Sequence, residues 1–163
     1  MYVFRSYRYP YLIMNKENVL KTLRFAKPDH IDLIRHGRKL LRGEAQEKLK
    51  KPVSCTACHF GQWYAKEGYK MVNIPQLLDL EALHEDIHKN YTALYYMTFD
   101  RRKKPRTSVI TNGVEVPVDE KAFRAIKLKQ LEKKTIRLIH SLNSIEKKVL
   151  AMQDNDFNSG WFL

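Results

Sequence analysis

The sequence of residues 74–99 is IPQLLDLEALHEDIHKNYTALYYMTF, and this stretch decides the fold class. Its apolar side chains recur every three or four residues, which predicts one long amphipathic helix that starts at Ile74 and Pro75 and reaches about Phe99. The inward stripe consists of Leu77, Leu80, His84, Ile87, His88, Tyr91, Leu94 and Tyr95. This stripe places two histidines on a face that must be buried, where an unpaired imidazole is costly.

Similar periodicity upstream predicts two more helices. A short helical segment over 18–25 is expected to break at Pro28, which is well suited to open the next helix, over residues 28–42. Ser54 is predicted to cap a second helix, which carries Cys58 and ends by residue 68.

Downstream, the chain alternates between apolar and polar residues around Asn112 and Gly113, a strong hairpin signal. Asp119 is predicted to cap the last helix. Its inward positions form a seam of about three heptads: Leu131, Thr135, Leu138, Leu142, Ile145, Val149 and Met152.

These elements predict an all-α fold, an antiparallel four-helix bundle with a small β-hairpin insertion before the last helix. The expected organisation is an aromatic and basic arm over 1–17, the bundle over 18–153 with the hairpin insertion at about 101–118, and a tail over 154–163. The seam of the last helix permits a homodimer as well as an intramolecular contact.

Composition narrows the classes of function. The chain has 163 residues, 44% of them hydrophobic, which suffices for one domain with a core. A formal net charge of +12 favours acidic partners. The sequence has no run of about 18 apolar residues and no signal-peptide core, so we expect a cytoplasmic protein without a membrane span.

The pair His84 and His88 is the first candidate for chemistry. Four residues of helix rotate the side chain by only about 40°, so both imidazoles face one way and can share a metal ion. The alternative is two polar side chains on the flank of the helix. With Glu85 the pair also matches the zinc-peptidase pattern, which needs a further ligand downstream. Of the downstream candidates, His140 is remote, and Glu115 or Glu120 would have to fold back, which disfavours a peptidase.

The second candidate is the segment Cys55-Thr56-Ala57-Cys58-His59. A thioredoxin-like redox pair, half of a zinc ribbon and a haem attachment sequence each need a further feature that the sequence does not show: a preceding strand, a second cysteine pair and an export signal, respectively. Two buried thiols at a capped helix start are another alternative.

Cys58-His59-Phe60-Gly61-Gln62-Trp63 resembles the Cys-x-Phe/Leu-Gly-x-Trp signature of the chemoreceptor zinc-binding domain, a bacterial four-helix module. The resemblance covers about residues 20–100. It implies that one Zn²⁺ is held by His30, Cys58, His84 and His88. In the family a Trp usually stands three residues after the first His, and here that position is Leu33. This departure bears on the assignment of His30, for which His36 is the fallback ligand. Cys55, the hairpin and the N-terminal arm match nothing in the family.

The resemblance also implies roles for neighbouring residues. Four protein ligands fill a tetrahedral shell, which argues against an enzyme. The nearest carboxylates that could orient the imidazoles are Asp32, Glu85 and Asp86. Gly61 is expected to let two helices approach near the metal, and Trp63 to cover it.

The implied function is sensing in bacterial signalling, including chemotaxis, in which zinc occupancy or oxidation of the ligand Cys changes the output of a partner protein or domain. Two alternatives remain: a zinc peptidase, and a module that binds nucleic acid or an anionic surface. The latter would use the basic run Arg101, Arg102, Lys103, Lys104 and Arg106, for which a solvated loop is the favoured interpretation.

Overall fold

The structure, a computed structural model, describes residues 15–44, 51–71, 74–99 and 107–157. In order, the elements are helix α1 (Lys16–Arg42), helix α2 (His59–Lys66), helix α3 (Leu80–Phe99), strands β1 (Ser108–Thr111) and β2 (Val114–Pro117), and helix α4 (Glu120–Ala151). Short 3₁₀ turns lie at Cys55–Ala57, Gly68–Lys70, Pro75–Leu77 and Asp154–Phe157. The prediction of a mostly helical chain with a hairpin before the last helix is confirmed.

Some predicted segments lie outside the described residues. These are most of the N-terminal arm (1–14), the basic run (101–106) and most of the tail (158–163). At the predicted junction between arm and bundle, α1 begins at Lys16, and the side chain of Asn15 accepts from the Asn18 N–H.

The predicted break at Pro28 was wrong, since α1 runs through it as one helix. Pro28 has no N–H to bond the carbonyl one turn earlier, which weakens the helix locally. Leu23 and Ala26 before it and His30 and Leu33 after it are all buried. Burial of this continuous stripe offsets the missing hydrogen bond.

The third predicted helix begins later than expected. Pro75–Leu77 is a separate 3₁₀ turn, and α3 starts at Leu80. Ile74 and Leu77 are almost completely buried, so the turn packs against the core, and apolar periodicity alone does not distinguish it from the first turn of α3.

The last helix and the hairpin agree with the sequence. The Asp119 side chain accepts from the Ala122 N–H at 3.0 Å. Every predicted seam position up to Val149 is buried, so the seam packs within the chain. β1 and β2 pair antiparallel around Asn112 and Gly113, whose φ angles of 53° and 78° suit a two-residue hairpin turn.

Polar contacts between the helices show their relative directions. Lys16 donates to the Leu150 carbonyl at 2.8 Å, and Arg38 donates to Glu132 at 2.7 Å, so α1 and α4 run in opposite directions.

The same holds for α3 and α4. Asp86 pairs with Lys134, and Thr98 accepts from Arg124 at 3.1 Å. α1 and α3 therefore run in the same direction, each packed against α4, and the short α2 packs on α1. Within the described part of the chain, no helix has the length and apolar character that crossing a bilayer requires.

Glu146 provides a test of the α1–α4 contact. Its carboxylate accepts from Lys27 and from Arg24, the latter at 2.6 Å, and these hydrogen bonds lower the pKa of Glu146. A carboxyl group whose pKa is lower in the folded state stabilises the fold at pH values above its unfolded pKa. This stabilisation is lost as the pH falls through the folded pKa.

We therefore expect Glu146→Gln to destabilise the chain by up to about 1 kcal/mol at neutral pH and by little at acidic pH. Urea denaturation of the unaltered chain and of Glu146→Gln, in the presence of a chelator at pH 7 and at pH 3, measures this difference in the free energy of unfolding. An equal difference at the two pH values would contradict the assignment.

Candidate metal centre

Four side chains from separate parts of the fold meet at one point. The ligand atoms of His30 on α1, Cys58 before α2, and His84 and His88 on α3 all lie within 4.8 Å of one another. The three histidines are buried and Cys58 is half-buried. In a tetrahedral zinc site with bonds of about 2.0–2.3 Å, ligand atoms are separated by roughly 3.3–3.6 Å, so this group is close to the required size.

The pair on α3 behaves as its spacing predicts. The Nε2 atoms of His84 and His88 are 3.1 Å apart, and the Cys58 sulfur lies 3.2 Å from His84 Nε2. Three ligand atoms thus already share one small volume.

His30, on α1, is the fourth member of the group. Its ring centroid lies 4.9 Å from that of His84 and 5.5 Å from that of His88. His36, the fallback ligand, is half-buried beside Tyr91 and is not part of the group. The helical stripe explains the choice, because His30 lies on the buried face of α1.

Backbone carbonyls orient two of the rings. His30 Nδ1 lies 2.6 Å from the Ala26 carbonyl oxygen, and His88 Nδ1 lies 2.9 Å from that of Val53. A carbonyl oxygen only accepts, so each Nδ1 carries the proton and donates it. Nε2 is then the atom of each ring that can bind a metal.

The carboxylates expected near the imidazoles are engaged elsewhere. Asp32 pairs with Arg35, Glu85 with Lys89 at 2.9 Å, and Asp86 with Lys134. Asp32 and Glu85 have largely exposed side chains, and Asp86 faces α4, so sequence proximity to a ligand does not bring these carboxylates to the rings.

Cys58 also has a structural role. It is the N-cap of α2, and its sulfur accepts from the Gly61 N–H at 3.3 Å. Ser54, the predicted cap, precedes only the 3₁₀ turn and makes no side-chain capping bond. Burial raises the pKa of the Cys58 thiol, while the N–H groups of Gly61 and Phe60 act in the opposite direction. Because burial dominates, the thiolate requires a further positive partner such as a metal ion.

Gly61 is required by a close approach of backbone. A Cβ at this position would lie 1.8 Å from the carbonyl oxygen of Cys55. The expectation that Gly61 lets two helices close was wrong, since the approaching group is the turn Cys55–Ala57 folded back on the start of α2. This fold-back holds Cys58 in place.

Phe60, which the sequence analysis did not single out, packs on the imidazoles. Its ring lies edge-to-face with His84 at 5.0 Å and with His30 at 6.3 Å. The Trp63 ring lies next to Phe60 at 5.8 Å in a tilted arrangement, so the ring that covers the cluster is Phe60. Its place at the Phe/Leu position of the signature quoted above is the sequence signal that could have identified it.

The donor set suits a divalent metal. Burial, and after it the proximity of His30 and His88, lowers the pKa of His84 to about 3, so this imidazole is neutral at physiological pH. Neutral imidazoles and one thiolate are typical ligands of tetrahedral Zn²⁺.

The residues that a zinc peptidase would need do not lie together in the described part of the chain. Glu85 is exposed and paired with Lys89, and the exposed His140 is outside the ligand group. The partners of the α3 pair lie upstream in the sequence, at His30 and Cys58.

The fold and the cluster thus define a helical metal-binding domain with three imidazoles and one thiolate. Residues 30–95 match the family model described as the chemoreceptor zinc-binding domain, which confirms the resemblance. This segment of the chain is therefore similar to a domain of that family, whose members bind zinc. No curated protein and no solved structure matches the chain.

The contact between Gly61 and the turn predicts the effect of one methyl group. Gly61→Ala must displace the Cys55 carbonyl and with it Cys58, so we expect zinc affinity to fall by about 10–100-fold, as when the support of a ligand is lost. Competition with a chromogenic chelator measures the affinity.

Gly37→Ala is the matched control. Its Cβ would contact Leu128 and Leu131 side chains at 3.1 Å, in the α1–α4 interface. It should change thermal stability and leave zinc affinity as it is. An unchanged affinity in Gly61→Ala would contradict the proposed role of the turn.

Proposed function

We propose that this protein is a zinc-binding regulatory domain whose Zn²⁺ ligands are His30, Cys58, His84 and His88. The observation that carries the proposal is the convergence of four ligand atoms from three helical segments on one point. A bound Zn²⁺ would link α1, α2 and α3 and hold Cys58 as the thiolate.

The ligands differ in how firmly the fold holds them. The three histidines lie on long helices packed against α4, whereas Cys58 stands at the start of the eight-residue α2. Protonation or oxidation of the sulfur would therefore release α2 first. The imidazoles would stay together, because their helices pack on each other independently of the metal.

The proposed output follows from this asymmetry. Release of α2 changes the surface of the domain near α1 while the remaining core is kept, which is the kind of local event that a signalling partner can detect. Chemoreceptor zinc-binding domains are regulatory and not catalytic, and the outward-facing Glu85 agrees with a non-catalytic role here.

We further propose the setting of the domain. Its helices form an antiparallel four-helix bundle with α2 as the short member, and it acts in the cytoplasm of a bacterium on a signalling protein or domain, alone or as a homodimer. The directions of α1, α3 and α4 support the bundle.

Zinc affinity of ligand variants tests the ligand set. Replacing one of four ligands should cost more than losing a support behind a ligand, so we expect Cys58→Ser and His30→Ala to weaken binding by more than about 100-fold. Cys55→Ser and His36→Ala are the matched controls, since neither side chain belongs to the group. Equal affinity in Cys58→Ser and the unaltered chain would refute the ligand set.

Zinc removal tests the regulatory role. With a strong chelator, backbone amides of α2 should lose protection from hydrogen exchange, while those of α4 around Leu138 and Leu142 stay protected. Mass spectrometry of exchanged peptides measures both. Loss of protection across all helices would instead indicate a purely structural zinc.

A further inference from the structure

Cys55 supplies a second thiol that the ligand group does not use. Both cysteines are free, and Cys55 is partly exposed. The 3₁₀ turn Cys55–Ala57 leads directly into Cys58. Side chains three residues apart in a 3₁₀ turn are eclipsed, so this turn brings the two side chains to the same side.

The position of the Cys58 sulfur supports this proximity. It lies 3.3 Å from the backbone carbonyl oxygen of Cys55. The contact of Gly61 with the same carbonyl keeps the turn closed. A disulfide needs Cα atoms about 4.4–6.8 Å apart, and the Cα atoms of the first and fourth residues of a tight turn are less than about 7 Å apart, which is compatible with that range.

Cys55 is also accessible, and Cys58 next to the same turn is half-buried. Two surface depressions adjoin the cluster, one lined by Val53, Cys55 and His88 and the other by Cys55, Phe60 and His84. Cys55 belongs to both. A small solute in either depression therefore meets the Cys55 side of the site.

We propose that Cys55 and Cys58 form a redox-active dithiol, in which Cys55 resolves Cys58 after attack by a peroxide. This inference rests on the proposed function only in assigning Cys58 to the zinc. In the first step the Cys58 thiolate attacks the peroxide. An S–O bond forms, the O–O bond breaks and hydroxide leaves, so the sulfur is oxidised by two electrons to the sulfenic acid.

In the second step the Cys55 thiol attacks the Cys58 sulfur. The S–S bond forms, the S–O bond breaks, and hydroxide leaves with the thiol proton as water. The disulfide no longer offers a thiolate to a metal. A thiol reductant reverses the change, whereas Cys58 without a resolving thiol proceeds to the irreversible sulfinic acid.

The test uses the full zinc-loaded chain, the Cys55→Ser variant and hydrogen peroxide. After oxidation, peptide mapping should find a Cys55–Cys58 disulfide in the unaltered chain and sulfinic acid at Cys58 in the variant. After dithiothreitol and fresh zinc, the unaltered chain should regain its metal content and the variant should not.

The double variant Cys55→Ser/Thr56→Cys is the matched control, because it moves the thiol one position along the same turn. It should behave as Cys55→Ser does. Oxidised Cys58 with a free Cys55 in the unaltered chain, or full recovery of Cys55→Ser, would overturn the inference. Mapping the metal-free chain after peroxide separates the two proposals, since the disulfide can form there even if zinc binding fails.

Discussion

Three imidazoles share the apolar core of this protein, and their burial is the constraint on which the rest of the site depends. A buried polar ring is costly unless its nitrogen atoms have partners. The fold meets part of this requirement with the carbonyls of Ala26 and Val53, and it turns the remaining ring nitrogens toward one point. A metal ion at that point would satisfy all three rings at once.

The cysteine is brought to this point by local backbone geometry. The sulfur of Cys58 caps α2 and lies against His84, so the same atom stabilises the start of the helix and belongs to the ligand group. The absence of a side chain at Gly61 allows this arrangement, because the turn before Cys58 occupies the space of a Cβ. Helix start and ligand position are therefore not independent properties of the sequence.

The features that the sequence predicted are those set by neighbours along the chain. The shared direction of His84 and His88 follows from helix rotation, the Asp119 cap from its side chain, and the hairpin from Asn112 and Gly113. His30 came from the family resemblance together with its place on a helical stripe, and the structure puts it in the group.

The features that sequence analysis missed depend on packing between distant segments. The local chemistry of Pro28 disfavours a position inside a helix. It lies inside α1 because the apolar stripe around it is buried. The Val53 carbonyl reaches His88 from 35 residues away, and no pattern marks a backbone acceptor. Phe60 stands in the quoted signature, but its contacts with two imidazoles arise only when α2 packs against α1 and α3.

X-ray absorption at the zinc edge, on the full chain loaded with one equivalent of zinc, tests the central claim most directly. The account predicts a shell of one sulfur at about 2.3 Å and three imidazole nitrogens at about 2.0 Å. A shell with two sulfurs, or with nitrogen and oxygen alone, would contradict it.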